Sequence, residues 1–337
     1  MPEKKVVKGA GAPKSQAVSD AAGRTGHGAM NRAAGRSESN AANGTAGMAE
    51  PDDISMYKKQ SQLVQAWGRL RKNRVAIAGM VILLVLMFCA VFAEQLAPYG
   101  YDDQDVMRRF TFPCREFPFG TDNLGRCIYS RILYGSRISL LIGFVATGMG
   151  AAAGTVLGAV AGYYGKGTDN MIMRFCDILQ AIPSLLLAIA IAAALGSGLF
   201  NMMLAISIGA IPRYARTVRA SILTVKEQEF IEAAHAIGAG DIRIIMKHIF
   251  PNCLAPIIVQ VTLGVAGSII NAASLSFIGL GVQAPAAEWG SMLSAGRQYV
   301  RDYWFVVMFP GLAIMTTILS LNLFGDGLRD ALDPKLK

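Results

Sequence analysis

Residues 75–93 read VAIAGMVILLVLMFCAVFA, a stretch with no charged residue. At ~1.5 Å per residue it reaches about 28 Å, close to the roughly 30 Å hydrocarbon core of a bilayer. A buried helix of a large soluble protein is the competing reading, and the rest of the chain decides against it. Of 337 residues, 53% are apolar and only 16% are charged; soluble domains carry roughly 25% charged residues. Comparable apolar stretches recur at about 137–162, 170–195, 199–220, 251–279 and 304–325. The expectation is an all-α membrane protein with six spans.

Upstream of the first span, residues 57–74 read YKKQSQLVQAWGRLRKNR. Leu63, Val64, Trp67 and Leu70 share one helical face, and Lys58, Lys59, Arg69, Arg71 and Lys72 fill much of the remainder. This pattern predicts an amphipathic helix in the membrane interface, with Trp67 at headgroup depth. A solvated helix packed on protein is the alternative. Residues 1–56 are expected to be a disordered tail, because 1–50 are rich in Ala, Gly, Ser and Asn with almost no large apolar residue to offset ordering. Lys4, Lys5 and Lys8 are followed by no apolar core, so no secretory signal is expected. The net charge of +9 invites a nucleic-acid reading. The basic residues, however, flank apolar spans, as on the cytoplasmic side of membrane helices, and no nucleic-acid partner is expected.

Downstream, a polar loop covers about 95–135. Its Cys114 and Cys127 could pair if that side is oxidising, or remain two free thiols; Cys89, Cys176 and Cys253 add no CxxC pair or zinc spacing. The second span contains GAAAGTVLGAVAG, in which Gly150, Gly154, Gly158 and Gly162 recur every fourth position. One helical face is thereby stripped of side chains, so a neighbouring backbone can approach closely. Pro183 and Pro212 are expected to interrupt spans three and four, leaving carbonyls that neighbouring helices must satisfy.

Several chemistries lack their residues. GYYGKGTDN has Val160 five positions before Gly165, and Gly167 where a phosphate-binding loop needs Ser or Thr. His27, His235 and His248 have no metal-ligand spacing with cysteine or carboxylate, and no nucleophile–base set is evident. No metal, cofactor or catalytic residue is expected. Arg174, Asp177 and Asp326 lie near predicted span ends, whereas an ion-coupled carrier usually holds ionisable groups near mid-membrane. Energy is therefore expected from outside the chain. With the basic amphipathic helix inside, six spans put both termini in the cytoplasm. The loop between spans four and five is then cytoplasmic and carries Arg213, Arg216, Arg219, Lys226, Arg243 and Lys247.

That loop contains EAAHAIGAGDIRIIMKHIFPN, residues 232–252. Thr224-Val-Lys-Glu227 has capping-box spacing, so a helix is predicted to start there and run through Glu232, Ala233 and Ala234. Gly238 is placed to end it, and Asp241 to cap a second helix, IRIIMKHIF. Ala233 and Ala234 would leave a shallow surface, with Phe230 and Ile231 as apolar anchors for a partner.

Glu232-Ala233-Ala234, then Gly238, then Phe250-Pro251 twelve residues on, resembles the EAA loop of binding-protein-dependent ABC importer permeases. The blocks FGTDNLGRCIYSRILYGSRISLLIG (119–143), GYYGKGTDNMIMRFCDILQAIPSLLLA (162–188), LSFIGLGVQAPAAEWGSML (275–293) and NLFGDGLRDALDPKLK (322–337) are similar to the C-type permeases of dipeptide and oligopeptide importers. The similarity is collinear over about 57–337, and IFPNCLAPIIVQ (249–260) looks closest to the dipeptide subgroup. Cys127 departs from the pattern, standing where the branch commonly has Asp, and the tail has no counterpart.

The resemblance implies the type I ABC importer fold: an elbow helix at 57–74, then one permease domain of six transmembrane helices over 75–337, in the cell inner membrane. It also implies a heterodimer with a related B-type permease, two ATPase subunits that hydrolyse the ATP, and an extracytoplasmic substrate-binding protein. In that family the EAA loop forms a coupling helix that docks in a groove on the ATPase. Glu232, Ala233, Ala234, Gly238, Phe250 and Pro251 are the coupling residues it points to here, with Glu232 pairing a basic group on the ATPase. The branch also serves nickel, opine-like and other small solutes, so a dipeptide or short oligopeptide is the first expectation and another small solute the second.

Overall fold

Asn73 opens the first span in the computed structural model, which describes residues 67–332. Its Oδ1 accepts from the N–H groups of Val75 at 3.1 Å and Ala76 at 3.2 Å, satisfying donors that a first helical turn leaves unpaired. α1 runs Arg74–Val91, and the short α2, Ala93–Leu96, follows. Residues 67–70 form a helical turn before α1; residues 57–66 of the expected elbow helix, and the tail, lie outside the described residues. Trp67 is exposed, while Leu70 is buried with Ala76 and Ala331.

An arginine from another helix closes the far end of α1. On α3, Ile128–Tyr164, Arg137 donates from Nε to Ala90 O at 2.6 Å and from Nη2 to Val91 O at 2.8 Å. Its Nη1 meets Glu94 Oε1 at 2.7 Å. Terminal carbonyls of α1 that would otherwise lack donors are thereby satisfied.

α4, Lys166–Ala181, and α5, Ser184–Leu195, meet at an 86° bend. The interruption expected at Pro183 in the span over 170–195 is present. Ile182, the residue before the proline, is extended at φ −96°, ψ 129°, the region that a following proline imposes. Pro212 behaves differently. It is buried inside α6, Leu199–Lys226, which continues unbroken past it, so the expected interruption there does not occur.

The glycine stripe of α3 lies along α6. A Cβ on Gly154 would stand 2.5 Å from Tyr214 Cβ and 2.8 Å from Ile211 O; one on Gly150 would stand 2.9 Å from Ser207 O. Gly158 meets Ala215 and Val218, and Gly162 meets Ile222. Two backbones thus approach to a separation that any side chain would prevent, which is how helices gain contact where lipid supplies no hydrophobic drive.

Beyond α6 come α7, Glu229–Ala236, and α8, Asp241–Phe277, the latter carrying a π-helical turn at Ile244–Ile249. α9, Trp289–Gly296, and α10, Phe305–Leu332, complete the described chain. Glu288 caps α9: its carboxylate accepts from Gly290 N and Ser291 N, each at 2.8 Å, and from Ser139 Oγ on α3 at 3.3 Å. Among the described residues α1, α3, α8 and α10 are long and apolar enough to cross a membrane, and the bent α4–α5 pair makes a fifth when counted as one span. α6, the span expected over 199–220, carries Arg213, Arg216 and Arg219 and is not among these apolar helices.

The loop before α3 is tied down by charge and aromatic packing. Asp122 Oδ2 accepts from Arg126 Nε at 2.8 Å, and Arg131 Nη1 donates to Tyr101 O at 2.7 Å. Phe110 stacks on Tyr303 and Phe119 on Phe309, with ring centroids 4.2 and 4.1 Å apart. Cys114 and Cys127 are both free thiols, the second of the two states left open from sequence. They occupy different environments: Cys127 is buried at the start of α3, whereas Cys114 sits in an exposed turn where its Sγ accepts from Phe117 N.

Candidate functional site

The segment 224–251 hangs at the Tyr163 end of α3, opposite the end bearing the loop just described. Its start differs from the sequence expectation. Thr224 does not cap a helix; its Oγ1 donates back to Ala220 O at 3.2 Å because α6 has not yet ended. α6 runs on to Lys226, whose Nζ donates to Tyr163 O at 2.5 Å. α7 begins at Glu229 after an extended Gln228, without a side-chain cap.

α7 has two faces. Ile231 and Ala234 point inward and join a core with Tyr163, Val218, Ile222, Ile244 and Ile249. Complete burial of an Ile side chain contributes about 1.5–3 kcal/mol, which ties this short helix to the bundle. The expectation that Ala234 and Ile231 face a partner is therefore corrected. The outer face holds Glu229, Glu232, Ala233 and His235, with Phe230 40% and Ile237 84% exposed. Ile242 and Met246 on α8 extend the exposed apolar surface. Glu229 and Glu232 also fall in the first turn of α7, where the helix dipole favours an anion.

Gly238 ends α7. Its φ of +77° is left-handed, and a Cβ there would meet no atom within 4 Å, so backbone conformation alone asks for glycine. Gly238 N donates to His235 O at 2.9 Å and Ala239 N to Ala234 O at 3.1 Å, closing the last turn on its own carbonyls. Asp241 is the first residue of α8 rather than its cap; Gly240 holds the cap position, and Asp241 Oδ1 accepts from Tyr163 OH at 2.8 Å. The helix IRIIMKHIF is not a separate element. It runs directly into the next span, so α8 is one 37-residue rod. Phe250 N donates to Ile245 O across a widened turn just before Pro251, which has no N–H to give. Phe250 is half-buried against the α7–α8 core, and Pro251 is exposed. The geometry thus gathers Glu232, Ala233 and Gly238 at the tip, turns Ala234 inward, and places Phe250 and Pro251 further along α8.

A second feature lay hidden in the sequence reading. Arg213, Arg216 and Arg219 are not loop residues; they lie at i, i+3 and i+6 on α6. Arg219 meets Asp169 at 2.5 and 2.6 Å, and Arg216 meets Asp177 at 2.6 Å, both acids being on α4. Arg213 instead lines a cavity of about 500 Å3 together with Gln180, Ser184, Ser268 and Asn271. The three-residue recurrence of the arginines, one helical face, was the available signal.

The described residues form a polytopic helical bundle that presents one fastened helix, α7, outside its apolar spans. The chain belongs to the binding-protein-dependent transport system inner membrane component family, whose model matches residues 154–337. Residues 61–113 match the N-terminal transmembrane domain of oligopeptide transport permease C. The dipeptide transport system permease protein DppC of Alkalihalophilus pseudofirmus is 47% identical over 85% of this chain and 94% of its own length. A di/tripeptide transport system permease of Pseudomonas aeruginosa is 44% identical over 82% of this chain and 93% of its own. The glutathione transport system permease GsiD of Escherichia coli is 46% identical over 80% and 90%. In fold, the chain is similar to the inward-facing MetNI methionine ABC transporter, with TM-score 0.50 and 20% identity over 60% of this chain and 96% of that one. The protein is accordingly a multi-pass inner-membrane permease subunit of an ABC importer; ATP hydrolysis belongs to partner ATPase chains, and a substrate-binding protein delivers solute to it.

Proposed function

We propose that this permease imports dipeptides or short oligopeptides. The support is the set of relatives, named for dipeptides, di/tripeptides and glutathione, the last also a tripeptide. It would form half of the pathway, with a related B-type permease as the other half and both termini in the cytoplasm. α7 is the part that touches the ATPase, and the observation that carries this assignment is its division into a buried and an exposed face. The inner face, Ile231 and Ala234, fixes the helix to α6 and α8, so a push on the outer face reaches the spans without being lost in a flexible loop. Glu232 pairs a basic group of the ATPase, Ala233 sits against its surface, and Gly238 sets the angle between α7 and α8. Phe250 and Pro251 lie within the rod that transmits the motion.

Reconstituted vesicles containing the complete importer test this reading. Uptake of a labelled dipeptide is expected with ATP present and no ion gradient. No uptake is expected when ATP is withdrawn and a proton or sodium gradient is imposed. Gradient-driven uptake without ATP would instead make the chain an ion-coupled carrier, and ATP-driven uptake of nickel but not of dipeptide would move it to another solute.

A further inference from the structure

The arginine ladder on α6 is paired at two rungs and not at the third. α4 supplies Asp169 to Arg219 and Asp177 to Arg216. Gln180, one turn beyond Asp177 on α4, lines the same cavity as Arg213 and carries no charge. Among the described residues no carboxylate lies within ion-pair reach of Arg213; its guanidinium carbon sits 5.8 Å from the centroid of its neighbour Tyr214.

Arg213 is exposed at the wall of a cavity. α6 packs beside Gly154 through Ile211 and Tyr214, and Gly154 is nine residues from Tyr163, the end of α3 that bears α7. At ~1.5 Å per residue Arg213 lies about 13 Å inside that end. An ionisable side chain that faces a polar cavity is open to a partner of opposite charge. The cavity is present, about 500 Å3 and opened by the break between α4 and α5. Gln180, Ser184 and Asn271 line it and can donate or accept hydrogen bonds. Pro183 and Ser184 bring the N-terminal turn of α5 to the same wall, adding a partial positive charge.

We propose that Arg213 receives a carboxylate of the transported solute as it passes through this half of the pathway. A planar guanidinium matches a carboxylate through two parallel hydrogen bonds, and the neutral Gln180 keeps the position open for it. The assignment rests on the peptide reading, in which the carboxylate is the peptide C-terminus.

The test uses the complete importer in vesicles, with labelled Ala-Ala and its C-terminal amide as probes. The binding protein's own preference between them is measured first and divided out. Wild type is expected to move the acid at least about tenfold faster than the amide, as loss of a charge-assisted pair implies. In Arg213→Gln the ratio should fall to about one, and Arg213→Lys should keep part of it. A wild-type ratio near one, a ratio unchanged in Arg213→Gln, or equal loss of both substrates there would overturn the proposal. So would loss of the partner permease from purified Arg213→Gln complex, which would give the arginine to the subunit interface. If wild type moves neither dipeptide under ATP, the peptide reading itself has failed, and this proposal falls with it.

Discussion

Gly154 and Gly148 stand on the same helix, yet a methyl group would mean different things at each. At Gly154 it would press on Tyr214 Cβ and on the Ile211 carbonyl, whereas at Gly148 it would meet nothing within 4 Å. Gly154→Ala is therefore expected to destabilise the purified permease by about 1–3 kcal/mol, the usual cost of overpacking. Gly148→Ala should be neutral or slightly stabilising, since alanine is the better helix former. Thermal unfolding in detergent measures both. The spacing of the stripe was legible because four-residue periodicity follows from helix geometry alone; its partner, α6, was not, because spacing says nothing of which neighbour fills the groove. Arg213 was misplaced for a related reason. Charge density suggested a loop, while salt bridges to Asp169 and Asp177 allow arginines to continue a helix.

The two alanines of α7 face opposite ways. Ala233 is exposed and Ala234 is buried beside Ile231. Ala233→Leu should leave the permease's unfolding midpoint almost unmoved, within about 0.5 kcal/mol, as for other surface changes. It should nevertheless lower ATPase stimulation by loaded binding protein, because the added side chain stands between α7 and its dock. Ala234→Leu should act first on the permease itself, lowering stability by about 1–3 kcal/mol. Equal midpoints for the two variants would contradict the assignment of faces. The tripeptide spacing and Gly238 located this element in the sequence. Its first residue was misjudged because Thr224 offers the same hydroxyl to a helix that starts and to a helix that continues; only the packing of Val218, Ile222 and Val225 in the core tells which. The bend at Pro183 was legible as a break, but its angle depends on how α5 lies against α6, which local sequence does not specify.

For the whole molecule, the account is of a passage that holds no engine. α8 joins the coupling turn to a full membrane crossing as one rod, and α6 leads into α7 from the other side. A rigid displacement of α7 must then move both helices that flank the cavity containing Arg213. The break between α4 and α5 lies at that cavity, so relative movement of α6 and α8 would change its width. Weakening the joint without removing the dock should separate binding from transport. Gly238→Val, forced into a left-handed backbone that costs a β-branched residue about 1–2 kcal/mol, is expected to keep much of its ATPase binding while losing most uptake per ATP hydrolysed. Uptake and hydrolysis measured in the same vesicles give that ratio.

The most direct measurement is co-purification of the ATPase subunits with a permease carrying Glu232→Lys together with Gly238→Val. Reversing the charge at the outer face and distorting the turn should strip the ATPases from the complex, with uptake lost, while the partner permease is retained. ATPases recovered at wild-type yield, with hydrolysis still coupled to uptake, would show that the motor grips this chain somewhere else.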